Sequence, residues 1–411
     1  MSRSKIQTLP DELKVMVATS IDDPETLMNL AFVDKGFYNL IKGDEAKLCA
    51  RLFKKQIGDK FLRLAVAVAH ARALQRVPRT FYGQPRSRLD LSVEDIMDFV
   101  DTHFPSPVSD AIVPSDRTMG LKLCAELFAF HRVVDNYADV FSRSLKFKHD
   151  GDGNGSEQQR VRKALYILQL LSNLFPRGRV SQRNFKATER AYQPAWAYLL
   201  TRFAPWELQQ ARCAKQLLAR HIERVIHANV LARGESPISL DRRLSFAFIS
   251  NEGLFALKKL EDSGITCGTL GALTIFRQLS KNWEPTELWY DLHDSAWISQ
   301  FGQPIHLDVT DILNRYPDSD TGPRDVWLYT LLAGHINNLM FDTTAYIFLY
   351  KRELSGIADY VFWGRQKLDG LMLNHSFPSA ADMLSVANVH KDLGTFLRFV
   401  RFRTLSYSLI A

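Results

Sequence analysis

The amino-acid sequence predicts an all-α protein, and two observations carry this prediction. Apolar residues recur at spacings of three and four through most of the chain, whereas strict alternation of apolar and polar residues is scarce. The composition is 46% hydrophobic and 24% charged, with only 21 glycines and 16 prolines in 411 residues, which excludes low-complexity and wholly disordered chains. A large helical core is therefore expected.

The first predicted helix follows Pro10. This proline presets φ for a first helical turn, and the carboxylates of Asp11 and Glu12 meet the positive end of the helix dipole. Apolar residues then recur at i, i+4 and i+8, so the helix is short and one-sided. Its apolar stripe comprises Leu13, Val17 and Ile21.

Two further short helices are predicted by their caps. Asp23 can accept hydrogen bonds from the free amides of a helix that has Pro24 at its first position, and Asp34 can start a third helix in the same way. A unit of about 40 residues lies near the lower limit for an independent core, so it is expected to pack on a partner. The apolar faces are Leu27, Leu30 and Ala31 in the second helix, and Phe37, Leu40 and Ile41 in the third.

The rest of the chain reads as longer helices. A helix over 60–76 ends where Val77-Pro78 disfavours helical backbone. Between 236 and 316 the pattern is broken, and 305–309 fits either a strand or a loop. About two thirds of the tryptophans are expected in the core, because soluble proteins rarely expose large apolar patches. Further helices are predicted at about 92–104, 117–145, 157–175, 182–203, 205–233, 323–352 and 380–407.

Residues 146–157 are predicted to form a flexible loop rich in glycine and aspartate. The loop also matches half of a calcium-binding EF-hand, with Asp150, Asp152, Asn154 and Gly155 at positions 1, 3, 5 and 6. Position 12 needs a bidentate carboxylate but holds Val161, so a linker is favoured over a calcium site.

The amino-terminal helices also carry a characteristic order of residue types. In chain order these are Leu9-Pro10, the carboxylate of Glu12, an acidic turn with a proline at 22–25, the leucines Leu27 and Leu30, and Val33 four residues before the aromatic Phe37. This order resembles the F-box.

The chain departs from the F-box pattern at three points, which leave its apolar residues in place. Ala18 stands where leucine is common, Asp34 replaces a frequent cysteine or serine, and the loop between the first two helices is one residue longer. Two later segments, 205–210 and 356–363, resemble fungal F-box proteins of unassigned substrate.

The resemblance implies that residues 1–56 form an F-box that binds the adaptor Skp1, and that residues 57–411 form a helical body that binds a protein substrate. Skp1 joins a cullin and RING scaffold, so the chain would be the substrate-recognition subunit of a ubiquitin ligase, without catalytic residues, cofactors or metals of its own. The alternative is a helical interaction scaffold that never meets a cullin. The candidate Skp1-binding residues are Leu9, Pro10, Leu13, Val17, Ile21, Leu27, Leu30, Val33, Phe37 and Leu40.

Other features of the sequence favour neither an enzyme nor a metal site. Cys267 lies in a glycine-rich turn upstream of His293 and His306, but this spacing matches no signature of a cysteine–histidine nucleophile. His221 and His227 are six residues apart and thus on different helical faces, and no CxxC pair is present.

Charge and hydropathy limit the remaining partners. The net charge of +7 permits an acidic partner without requiring one. A basic loop after residue 76 and the arginines Arg398, Arg401 and Arg403 lack any recognised nucleic-acid motif, so no nucleic acid is expected. The amino terminus lacks the apolar core of a signal peptide, and no apolar run approaches the roughly 20 residues of a spanning helix. An intracellular protein of the cytoplasm or nucleus, without a membrane partner, is expected.

Overall fold

The computed structural model describes most of the amino-terminal half of the chain and shorter segments of the rest. The described residues are 9–76, 80–81, 84–85, 91–105, 120–144, 154–175, 182–232, 245, 249, 253–258, 261–262, 309–316, 320–336, 359–370 and 377–387. This part of the chain is predominantly helical, as predicted. Its only extended elements are β1 (Thr80–Phe81) and β2 (Gln84–Pro85), which pair antiparallel.

The helices follow the order of the sequence prediction, with additions. They are α1 (Asp11–Ser20), α2 (Pro24–Ala31), α3 (Lys35–Gly43), α4 (Glu45–Gln56), α5 (Asp59–Arg76), α6 (Val93–His103), α7 (Leu121–Ser144), α8 (Asn154–Leu174), α9 (Gln182–Leu200), α10 (Pro205–Ala232), α11 (Val309–Arg315), α12 (Gly322–Ile336), a 3₁₀ turn (Asp359–Phe362), α13 (Arg365–Asp369) and α14 (Ala380–Ala387).

The predicted caps of α2 and α3 are confirmed. The Asp23 carboxylate accepts a hydrogen bond from the Thr26 backbone N–H at 2.8 Å, and Pro24 is the first residue of α2. The Asp34 carboxylate accepts from the Phe37 N–H, also at 2.8 Å. Both caps satisfy amides that have no partner within their own helix.

Helix α4 is an element that the sequence analysis did not predict. It lies between the first three helices and the rest of the chain, and it contacts α5 and α7. Its buried residues are Leu48, Cys49, Leu52 and Phe53, a spacing that keeps them on one helical face. Helix α4 therefore ties the amino-terminal unit to the body.

Helix α8 lies at the centre of the described body. Every side chain from Ala164 to Phe175 is buried, and α5, α7 and α10 all pack against this helix. A helix that is buried on all sides belongs to the interior of a large core rather than to its surface.

The start of α8 corrects the loop prediction for 146–157. Residues 154–157 belong to this helix, so the end of the predicted loop is helical, while 146–153 lie outside the described residues. The helix predicted from residue 157 begins three residues earlier, at Asn154, and its first turn tolerates Gly155. Val161 is fully buried inside the helix and cannot serve as a calcium ligand.

A helix that crosses a bilayer needs about 20 consecutive, predominantly apolar residues. Among the helices in the described part of the chain, none combines the length and the apolar character needed to cross a bilayer.

Candidate functional site

Large apolar side chains are exposed on the first three helices. Wherever the structure describes burial, the large hydrophobic residues that are clearly exposed all fall between residues 13 and 38. We call this set the apolar surface: Leu13 (43% exposed), Val15 (42%), Met16 (64%), Phe32 (84%) and Tyr38 (51%). Large apolar side chains that are exposed on a protein surface are candidates for protein–protein contact.

The predicted Skp1-binding residues divide into three groups by burial. Leu27, Leu30 and Phe37 are buried within this chain, and Pro10 and Leu13 are exposed. The others are partly buried and pack against the core; they are Leu9, Val17, Ile21, Val33 and Leu40. The predicted residues thus include one member of the apolar surface, Leu13, and three residues of the buried core.

Sequence reasoning missed four of the five members of the apolar surface. Met16 lies three residues after Leu13 on α1, and Val15 lies on the opposite flank of that helix. Phe32 follows the last residue of α2, and Tyr38 adjoins the buried Phe37. The available signal was that apolar residues of α1 occur on more than one side, which exceeds what a single buried face requires.

A buried lysine of α1 contacts α3. Lys14 is only 8% exposed, and its Nζ lies 3.6 Å from Asp11 Oδ1 and 5.9 Å from the centre of the Phe37 ring. A carboxylate and an aromatic face both stabilise an ammonium group. Gly36 leaves the space for it, because a Cβ atom at that position would lie 2.6 Å from the Lys14 Nζ.

Helix α4 supplies hydrogen-bond donors to the carboxyl end of α1. The Arg51 guanidinium donates hydrogen bonds to the carbonyl oxygens of Ala18 at 3.2 Å and Ile21 at 2.8 Å. Lys55 pairs with Asp22 in the turn that follows. Cationic side chains at a helix carboxyl terminus satisfy carbonyls that lack a partner and complement the helix dipole.

Two carboxylates join the amino-terminal unit to α7. Partial burial opposes ionisation of Asp23, but hydrogen bonds from Thr26 and the charge of Arg132, 2.6 Å away, hold its pKa below the usual range. Burial likewise opposes ionisation of Glu45, and hydrogen bonds from Lys42 and from the Leu121 backbone N–H at 2.7 Å lower its pKa. Glu45 thus accepts from the first amide of α7.

The two later segments that resemble fungal F-box proteins contact each other. Gln210 Nε2 donates to the Val361 carbonyl oxygen at 2.8 Å, and both residues are buried. The Trp206 ring lies 5.9 Å from that of Trp327. Trp196, Trp206, Trp327 and Trp363 are all buried, as the sequence analysis expected for most tryptophans. The two segments therefore contact each other inside the body.

Two histidines meet between α5 and α6. His70 Nδ1 lies 3.3 Å from His103 Nε2, and the His103 side chain is 5% exposed. Burial, with a smaller effect of His70, lowers the pKa of His103 to about 4; burial also lowers the pKa of His70. Both imidazoles are therefore neutral at pH 7.

The neutral pair makes stability depend on pH. A histidine whose pKa is depressed in the folded state contributes stability above its unfolded pKa of about 6.5, and this contribution is lost as the pH falls. Because of His103, we expect the free energy of unfolding to be about 2–3 kcal/mol lower at pH 4.5 than at pH 7. Urea unfolding of the wild type and of His103→Gln at both pH values isolates this term. An equal loss in both proteins would contradict it.

A small recess between α5, α7 and α8 is lined by apolar side chains and by two amide side chains that are hydrogen-bonded. Its volume is about 10 Å³, which is no more than a single water molecule needs. Gln169 Oε1 accepts from the Leu254 backbone N–H at 2.8 Å, and Asn173 Nδ2 donates to the Val68 carbonyl oxygen at 2.9 Å. These amides hold neighbouring segments together.

The other candidate chemistry of the sequence analysis finds little support in the described residues. His221 Nε2 lies 2.7 Å from Glu261 Oε1, whereas His227 is exposed. Within the described ranges, no three histidine, cysteine or carboxylate side chains come close enough to hold a metal ion. Several predicted residues lie outside those ranges: Cys267, His293, His306, Arg398, Arg401 and Arg403.

Comparison with known proteins gives no relative. No protein-family model, no curated protein and no solved structure matches the chain.

Proposed function

We propose that the chain is the substrate-recognition subunit of a Skp1–cullin–F-box ubiquitin ligase and that it binds Skp1 through α1, α2 and α3. One observation carries the proposal. Where burial is described, the exposed large apolar side chains lie on the segment whose residue order resembles the F-box, and not on the body. Binding of a partner would remove these apolar side chains from water, which is favourable.

The proposed binding relies on helix packing. Specific interfaces bury about 1,200–2,000 Å² in total, and a few central side chains supply most of the free energy. Leu13 and Met16 are suited to this role because they are exposed on a helix that Lys14 and Arg51 hold in place. The buried Leu27 and Phe37 would act indirectly, by supporting the helices.

In this proposal the chain contributes proximity to the reaction. The ubiquitin thioester is carried by a conjugating enzyme on the scaffold, and the body holds the substrate near it. Such positioning raises the effective concentration of the substrate lysine and needs no nucleophile in this chain.

Titration of the full chain with purified Skp1 tests the proposal. We expect a one-to-one complex for the wild type, and for Leu13→Ala/Met16→Ala an affinity at least about 30-fold lower, because both contact side chains are truncated. Alanine favours the helix and both side chains are exposed, so the fold is expected to persist.

Asp98→Ala on α6 is the matched control, since it also removes an exposed side chain from a helix. It is expected to bind Skp1 as the wild type does. A folded wild-type chain that does not bind Skp1 would overturn the ligase proposal and favour the interaction scaffold.

A further inference from the structure

Helices α4 and α7 pack side by side, and their contacts repeat from turn to turn. At the start of α7, the Glu45 carboxylate accepts a hydrogen bond from the Leu121 backbone N–H at 2.7 Å. Two turns further along both helices, the centre of the Phe53 ring lies 5.7 Å from that of the Phe128 ring. These two contacts set the register, because residues three or four apart lie on one helical face. The side chains of the turn between them therefore face each other.

A cysteine from each helix occupies this middle turn. Cys49 lies between the two contacts on α4, and Cys124 lies between them on α7. Both side chains are fully buried free thiols, and the Cys124 thiol is hydrogen-bonded to the Cys49 sulfur. The two side chains thus point towards each other across the helix contact, as a disulfide requires.

The two thiols are protected for as long as the helices stay packed. The hydrogen bond with Cys49 and burial raise the pKa of the Cys124 thiol, and the nearby Asp23 carboxylate acts in the same direction. Thiol–disulfide exchange needs a thiolate and access to it, and neither side chain has any solvent exposure. Oxidation therefore requires a transient separation of α4 from α7.

We propose that Cys49 and Cys124 form a reversible disulfide that covalently joins α4 to α7. The oxidant is a low-molecular-weight disulfide such as glutathione disulfide. One protein thiolate attacks this oxidant, which gives a mixed disulfide and releases one glutathione thiolate. The second protein thiolate attacks the protein sulfur of the mixed disulfide and releases the other glutathione thiolate. The two protons of the protein thiols pass through solvent to the released glutathione, so the chain loses two electrons and glutathione disulfide gains them.

The disulfide prevents α4 from separating from the body. Helix α4 also holds the end of α1, where Arg51 donates to the Ile21 carbonyl oxygen at 2.8 Å, so the bond restrains α1 as well. A cross-link between residues that are far apart in the sequence restricts the unfolded chain and thereby stabilises the folded one. In a reducing compartment such bonds are usually transient or redox-sensing. The position of the amino-terminal helices on the body thus responds to oxidation.

Incubation of the reduced full chain with glutathione disulfide, until the oxidised fraction no longer changes, tests the proposal. Peptide mapping by mass spectrometry is expected to show a cross-link between positions 49 and 124, and dithiothreitol is expected to remove it. Oxidation is expected to raise the melting temperature of the wild type by about 3–8 °C, and to leave that of Cys49→Ala unchanged. Cys213→Ala, which removes a buried cysteine of α10, is the matched control and is expected to form the cross-link as the wild type does.

The mapping uses the wild type, so its result does not depend on whether a variant folds. The proposal is overturned if the oxidised wild type contains no disulfide between Cys49 and Cys124, or if these residues carry only glutathione. It is also overturned if the disulfide forms and the melting temperature does not rise, because the bond would then not stabilise the contact of α4 with α7. None of these results bears on the ligase proposal, which Skp1 binding tests separately.

Discussion

Asp325→Ala is expected to lower the free energy of unfolding by about 3–5 kcal/mol, because it removes a fully buried carboxylate and leaves the groups that donate hydrogen bonds to it without their acceptor. Asp325 has no solvent exposure. Its Oδ2 accepts from Arg365 at 2.8 Å, and its Oδ1 accepts from the Ala380 backbone N–H at 3.2 Å. These bonds connect α12, α13 and α14, so the loss is expected to appear as a lower urea midpoint.

An exposed ion pair provides the control for Asp325. Asp262 is 61% exposed and lies 2.7 Å from Lys258, close to the spacing of the Arg365 pair. Exposed pairs are worth about 0–1 kcal/mol, so Asp262→Ala is expected to cost that little. Equal effects of the two substitutions would show that the buried carboxylate does not hold the carboxyl-terminal helices together.

Phe37→Ala is the second change with a large expected effect. Phe37 is fully buried between α1 and α3, and its ring lies under the ammonium group of Lys14. Truncation of a buried phenylalanine costs about 3–5 kcal/mol through lost burial and the remaining cavity. Here it also leaves the buried Lys14 without its aromatic neighbour. Chemical denaturation measures the loss.

The adjacent Tyr38 is the matched control, because it is aromatic, on the same helix and 51% exposed. Tyr38→Ala is expected to cost less than about 1 kcal/mol, as exposed positions usually do. If Phe37→Ala were no more destabilising than Tyr38→Ala, α1 would not depend on this core.

Local signals in the sequence were sufficient to predict where the second and third helices begin. The caps at Asp23 and Asp34 act within three residues of their own position, so their geometry follows from short-range chemistry. Leu48, Leu52 and Phe53 have the spacing of an apolar helical face, so helix α4 was predictable in principle. It was missed because the segment also contains many charged residues and directly follows the residues that resemble the F-box.

The division of the apolar residues between core and surface could not be read from the sequence. Leu27 and Leu13 are both leucines at helical spacing, but Leu27 is fully buried where α2 packs on α3 and α7, and Leu13 faces solvent. Helix α2 packs on α7, which comes much later in the chain, and local spacing does not reveal such a contact. Spacing alone assigns a residue to a helical face and leaves open what covers that face.

Hydrogen exchange of the full chain, with and without saturating Skp1, tests the central claim most directly. We expect Skp1 to slow exchange in peptides from α1 and from the turn around Phe32, and to leave peptides from α6 unchanged. The claim would be contradicted if Skp1 slowed exchange nowhere in the chain, or slowed it only in the helices of the body.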